Sequence, residues 1–152
     1  MAFVNAVLLA IVFSGAISGC AELQRENKMG DPGHLAPCPD TPNCVSSDAQ
    51  DTRHAVAPLH LVVDPATGWT AIQEIINRMP RTTIVEATDQ YLHVTFKSGL
   101  WGFIDDLELK LDLQTQIIAI RSASRTGSYD LGVNRRRVED LRKKLKARAL
   151  IL

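Results

Sequence analysis

From Ile104 to Leu113 the chain alternates without a break, with Leu107, Leu109, Leu111 and Leu113 on one parity and Asp106, Glu108, Lys110 and Asp112 on the other. Side chains of a strand point alternately to its two faces, so this run is a β-strand with one covered and one wet face. A helix would scatter the same leucines around its circumference. The sheet holding such a strand needs a second layer over its apolar side. Parity also puts Asp105 on the covered side with Leu107, where a carboxylate needs a cation or several donors to stay charged.

The flanking segments supply the other strands and that layer. Thr82–Ala87 is rich in β-branched residues, Asp89-Gln90 reads as a turn, and Tyr91–Lys97 alternates with Leu92, Val94 and Phe96 on one face. Ser98–Phe103 is a loop with two glycines, Gln114-Thr115 a turn, and Gln116–Ser122 a fourth strand. Asp64-Pro65 is an N-cap followed by proline in the first helical turn. Trp69, Ile72, Ile75, Ile76 and Met79 then recur at three- and four-residue steps until Pro80 ends the helix. A second helix is expected from about Asn134 to Ala149, with Val138, Leu141 and Leu145 inward. Arg135, Arg136, Arg137, Arg142, Lys143, Lys144, Lys146 and Arg148 crowd its remaining surface, either solvated or available to an anionic surface or acidic partner. The predicted fold is α+β: a two-layer sandwich of a four-stranded antiparallel meander with two helices on one face, preceded by an extended, disulfide-pinned arm.

The N-terminus has a different character. Its first twenty residues carry no charged side chain, and Ala6 to Phe13 is nearly all apolar. That run is too short to cross about 30 Å of hydrocarbon but matches a signal-peptide core in length. The segment closes Ile17-Ser18-Gly19-Cys20, which resembles the lipobox of bacterial lipoproteins. The resemblance implies a signal peptide over 1–19, a lipidated Cys20 opening an anchor and tether over 20–35, and one α+β domain, arm included, over 36–152. Several acyl chains on one residue give stable membrane attachment without a spanning helix. Ala21 after the cysteine implies the outer membrane in a Gram-negative source, with the domain on the periplasmic side of the envelope.

Prolines at 32, 37, 39, 42 and 58 forbid long helices in the arm. Within it, Cys38 and Cys44 bracket Pro39-Asp40-Thr41-Pro42-Asn43. In an oxidising compartment such a pair reads as a disulfide. The rivals are a redox pair or, with His34, His54 and His60, a metal site, although zinc ligands are usually spaced by two to four residues.

Meander geometry brings Ser98–Asp106 and Arg121–Arg135 to one end of the sheet. There Asp105 and Asp106 meet Arg121, Ser122, Ser124, Arg125, Asp130, Asn134 and Arg135. A guanidinium is the natural bidentate partner of a carboxylate, and the hydroxyls with a helix N-terminus at Asn134 offer donors to an anion. The cluster is therefore an internal salt bridge with Asn134 as cap, or a pocket for an anionic or polar ligand. No Ser–His pairing and no G-x-S-x-G elbow supplies an activated nucleophile.

Three stretches together resemble the domain-of-unknown-function family numbered 1499: Cys38-Pro-Asp-Thr-Pro-Asn-Cys44-Val-Ser-Ser47, Gly102-Phe-Ile-Asp-Asp106-Leu-Glu108, and Arg121-Ser-Ala-Ser-Arg125 followed by Asp130-Leu-Gly-Val-Asn134-Arg135. The resemblance spans roughly residues 36–148 and marks these segments as one constellation without assigning a reaction. A net charge of zero speaks against nucleic acid as partner. The expectation is a lipid-anchored envelope protein without cofactor or metal, binding an anionic ligand or an envelope protein. The alternative is a hydrolase or transferase for an anionic envelope substrate, with Arg121 and Arg125 holding the anion and Asp105 or Asp106 as base.

Overall fold

The computed structural model describes residues 35–152. The lipobox, Cys20, the tether through residue 34 and His34 lie outside the described residues. Strands β3 (Thr82–Ala87), β4 (Tyr91–Lys97), β5 (Ile104–Asp112) and β6 (Ile117–Ser124) form the expected antiparallel meander. The arm adds two short strands to the outer edge of β6: β1 (Cys44–Ser46) beside Arg121–Ala123 and β2 (Leu59–His60) beside Ile117–Ile118. The arm is thus part of the sheet, and its backbone groups are satisfied there.

Helix α1 (Pro65–Asn77) begins where Asp64 accepts the Thr67 N–H at 2.9 Å. It buries Trp69, Ile72, Ile75 and Ile76. Gly68 is its point of closest approach to the arm, since a Cβ there would stand 2.9 Å from the side chains of Leu61 and Val63. Helix α2 (Val133–Lys146) contributes Val138, Leu141 and Leu145 to the same core. Opposite them lie Leu92, Val94 and Phe96 of β4, Leu107, Leu109 and Leu111 of β5, and Ile118 and Ile120 of β6. Both helices therefore cover one face, as the alternation required.

Three boundaries differ from the sequence reading. Leu113 is exposed, because β5 ends at Asp112, whose carboxylate accepts the N–H groups of Gln114 (2.8 Å) and Thr115 (3.2 Å) to open the turn. Strand β6 continues two residues further, to Ser124, because the Ser124 N–H donates to the Asn43 carbonyl of the arm. Helix α2 stops at Lys146, since Ala149 adopts a left-handed backbone (φ 53°) that turns Leu150 and Ile151 into the core. Ile151 then pairs with Leu61, which holds the β2 region from its other side.

Cys38 and Cys44 are joined by a disulfide with their Cα atoms 5.6 Å apart. It closes the proline-rich stretch just before β1. Among the described residues no helix is long and apolar enough to cross a membrane. Replacing both cysteines by serine is expected to lower stability by about 2 kcal/mol, the loop-entropy value for so short a ring. Urea titration measures the loss, and hydrogen exchange should localise the loosening to residues 38–46 while β4 and β5 keep their protection.

Candidate functional site

The residues singled out from sequence do gather at one end of the sheet, but they divide into three groups. The first centres on Asn134, which is fully buried in the first turn of α2. Its amide nitrogen donates to the Asn43 backbone carbonyl of the arm (3.0 Å) and to the Asp130 carboxylate (2.9 Å), and lies 3.0 Å from Ser124 Oγ. Its side-chain oxygen accepts from Ser122 Oγ at 2.6 Å and from Arg137 Nη1 at 2.6 Å. Asn43 in turn reaches the Gly127 carbonyl at 2.6 Å. One buried amide thus joins the arm, β6, the β6–α2 loop and α2.

Asn134 is therefore not the cap. The capping residue in function is Asp130, whose two carboxylate oxygens accept the N–H groups of Gly132 (2.9 Å) and Asn134 (2.8 Å). Gly132 occupies the boundary position with a left-handed backbone (φ 74°), which suits glycine. The helix N-terminus is consequently filled by a carboxylate from its own chain.

Asp105 lies on the covered face as parity required, but its cation comes from a different element. The partner is Arg137, whose Nη2 donates to it at 2.5 Å, and both side chains are about one-tenth exposed. Arg137 also donates to Ser122 Oγ at 2.9 Å and stacks over the Phe96 ring at 4.8 Å. Arg121 and Arg125 are on the opposite face of the sheet. The sequence pattern puts Arg137 among the surface cations of α2, solvated or available to an anionic partner, but its three-residue spacing from Asn134 turns it towards the sheet.

The second group sits on that opposite face. Arg125 grips Asp106 through Nε (3.0 Å) and Nη2 (2.8 Å), while His93 Nε2 stands 2.7 Å from Asp106 Oδ1. One row along, Glu108 accepts from Tyr91 Oη (2.8 Å) and Arg121 Nη1 (2.6 Å). The Glu108 row runs from β4 across β5 to β6, and the Asp106 row ends on Arg125, the first residue after β6. Asp106, Glu108 and Arg121 are buried, so the face expected to be wet holds one fully desolvated ion pair, Glu108–Arg121, and a buried Asp106 carboxylate gripped by a half-exposed Arg125. Burial raises the Asp106 pKa, but hydrogen bonds from His93 and Arg125, with the charge of Arg125, outweigh it and hold the group at about 2. Burial, then the adjacent Glu108 carboxylate, pushes the Tyr91 phenol well above its usual range. Arg125 is shifted upward by the same Asp106 contact.

Arg135 forms the third group with the arm. It donates to the carbonyls of Ala55 and Arg53, both at 2.8 Å, and Arg142 likewise reaches Pro58 at 3.0 Å and Ala57 at 2.5 Å. These two arginines fasten irregular chain to α2. Of the histidines, His54 is buried between Asp51 (2.8 Å) and the Thr41 carbonyl (3.2 Å), and His60 is exposed. Among the described residues no three histidine, cysteine or acidic side chains gather in a metal-binding group.

The opening at this end lies beside the cluster and was not foreseen. A cleft of ≈ 980 Å³ runs between the C-terminal end of α1, the C-terminal end of β4 and α2. Its size is that of a small-molecule site. Ile75, Met79, Pro80, Phe96, Val133 and Ala147 contribute apolar lining. Around them stand Arg78, Arg81, Lys97, Arg136, Arg137, Lys144 and Arg148, against only two carboxylates, Asp105 and Asp140. Asp105 is consumed by Arg137, and Asp140 has Lys143 at 3.7 Å. The cleft is therefore cationic with an apolar floor. Its cations come from three separate elements, which is why no local sequence pattern displayed it.

These features define an α+β domain of two layers, an open antiparallel sheet under two helices with a disulfide-closed arm on its edge. A family model described as Protein of unknown function (DUF1499) matches residues 34–145, and the chain belongs to that family. No curated protein and no solved structure matches it.

Glu108→Gln is expected to destabilise the fold by about 3 kcal/mol, because it leaves the buried Arg121 uncompensated. Chemical denaturation measures that loss. A second expectation concerns acid. The lowered Asp106 pKa contributes stability that is fully present above about pH 4 and disappears as pH falls through about 2. Asp106→Asn should therefore flatten the acid limb of stability against pH between those limits, by on the order of 2 kcal/mol.

Proposed function

We propose that this protein is a lipid-anchored, non-enzymatic binding module of the cell envelope, and that its ligand is an anionic amphiphile held in the cleft between α1 and α2. The observation that carries the reading is the cleft itself: five cations (Arg81, Lys97, Arg136, Lys144 and Arg148) that no carboxylate neutralises among the described residues, two of them steadied by backbone carbonyls (Arg81 Nε to Lys97 at 3.1 Å, Arg136 Nη1 to Leu131 at 2.7 Å), around an apolar floor. An anionic headgroup would meet the guanidinium and ammonium groups, while Ile75, Met79, Phe96 and Val133 would shelter an attached chain. Excess positive charge in a low-dielectric recess raises both affinity and encounter rate for an anion. Nucleic acid remains disfavoured, since the cations enclose a recess and do not form a stripe along one face.

The carboxylates fit binding better than catalysis. A general base works best with a pKa near the operating pH, whereas Asp106 is held at about 2 and is gripped by Arg125. Asp105 is committed to Arg137, and Ser122 to Asn134 and Arg137. The Asp/Arg/Ser cluster thus supports the cleft from behind. Attachment through lipid on Cys20, with the domain on the periplasmic side of the outer membrane, completes the proposal. It is motivated by the lipobox and by Ala21 following it.

Calorimetric titration with dodecyl phosphate below its micellar concentration tests the ligand class. Binding is expected for dodecyl phosphate, at least about tenfold weaker binding for inorganic phosphate, and none for neutral dodecyl maltoside. Lys97→Glu combined with Lys144→Glu should weaken dodecyl phosphate binding about tenfold or more without changing the melting temperature appreciably, since both side chains are exposed. Equal binding of the neutral detergent, or an unaffected double variant, would overturn the proposal. Mass spectrometry of the mature chain from a competent bacterial host checks the anchor: an unmodified Cys20 sinks that part alone.

A further inference from the structure

We infer that the β4–β5 loop (98–103) and the β6–α2 loop (125–132) together form a lip that inserts its apolar side chains into the interface of an anionic bilayer. Single exposed apolar residues on a soluble surface need no explanation, but contiguous ones do. Here Leu100 is 82% exposed, Trp101 73%, Leu131 73% and Tyr129 70%, with Phe103 also exposed, all on two loops at one end of the sheet. The loops are neighbours. The Arg125 N–H donates to the Ile104 carbonyl at 3.1 Å; the first loop reaches the rim of the cleft through Ser98 and Gly99, and the second leads directly into Val133, the first residue of α2, on the same rim.

The loops are built to present these residues, not to hide them. Ser98 N–H donates to the Phe103 carbonyl (2.8 Å) and Phe103 N–H to Ser98 Oγ (2.9 Å), so the first loop satisfies its base and projects its tip. Gly102, with φ 68°, makes that reversal possible. Leu131 carries a left-handed backbone (φ 55°), which is unfavourable for a leucine; it sits inside the turn that Asp130 closes by accepting the N–H groups of Gly132 and Asn134. Its side chain stands in water.

Two observations select a lipid surface over a protein partner. The tips combine tryptophan, tyrosine and phenylalanine, the side chains that settle at the headgroup level of membranes. Their flanks are cationic: Arg81 lies beside Gly99, Lys97 beside Gly102, and Arg136 donates to the Leu131 carbonyl at 2.7 Å, so all three stand by the lip and complement acidic lipid. A protein interface of ordinary size needs about 800 Å² of packed surface from each side, which suits a flat or concave face better than two projecting tips. The lip shares Arg81, Lys97 and Arg136 with the cleft, but the inference rests on the exposed tips and requires neither the cleft's ligand nor lipidation at Cys20.

Tryptophan fluorescence of the full chain in vesicles provides the test. Trp69 is 3% exposed with its N–H bonded to the Thr88 carbonyl, so Trp101 alone should respond to lipid. In vesicles containing phosphatidylglycerol, Trp101 emission is expected to shift to the blue and to be quenched by brominated acyl chains. The change should vanish in Trp101→Phe and fall about threefold or more in pure phosphatidylcholine vesicles, where the charge attraction is missing. Leu131→Gly relieves the strained backbone, so it should keep or raise the melting temperature while weakening bromolipid quenching at Trp101. Equal access of aqueous acrylamide to Trp101 in both vesicle types would overturn the inference. So would shielding of Trp101 without bromolipid quenching, which would mean that protein covers it.

Discussion

The side chain of Asn134 is the tie on which the rest of this structure depends. It is wholly buried, and a buried amide left without partners costs on the order of 1–3 kcal/mol. Its partners come from places far apart in the chain: the Asn43 carbonyl, Ser122, Ser124, Asp130 and Arg137. Satisfying it therefore fixes four segments at once. Arm, sheet edge, loop and helix all meet at this one side chain, and Arg137 is aimed across Phe96 at Asp105 by the same contact.

This tie gives physical content to the three family motifs. Asn43 and Cys44 hold the arm to Ala123 and Ser124, and Ser47 continues the edge by exchanging bonds with Ile120. Asp105 and Asp106 lie on opposite faces of β5, each matched to an arginine from a different element. Asp130, Gly132 and Asn134 set the start of α2. The motifs thus encode a framework, while the cleft and the lip are assembled from residues around it: Arg78 and Arg81 after α1, Lys97 at the end of β4, and Trp101 at a loop tip.

The strands and helices were legible because each buries one face. Period-two leucines in β5 and the three- and four-residue steps of α1 leave little choice once a single core has to be covered. Asp105 was placed correctly by the same parity. Its partner was not, since pairing across layers depends on which residue of α2 faces the sheet, and three consecutive arginines at 135–137 offer three directions. The polar parity of β5 was read as solvated for a related reason. Asp106 and Glu108 lie between complementary side chains of β4 on one side and of β6 and the residue just after it on the other, and cross-strand pairing of that kind is invisible along one strand. The helix cap was misplaced by four residues because Asp130 acts across a glycine turn instead of from the boundary itself.

The placement of the disulfide bears on how the chain is put together. Cys38 and Cys44 are both in the arm, six residues apart, so their bond ties the arm to itself and not to the body. The meander and α2 can form without regard to its redox state, and oxidation can precede or follow them. The arm must nonetheless wait for β6 and Asn134 before it has an edge and a donor to dock on. Closing the ring in advance narrows the shapes in which it waits. The covalent bond thus acts on the last step of assembly, by presenting a short, already bent segment to a surface that the rest of the chain has finished making.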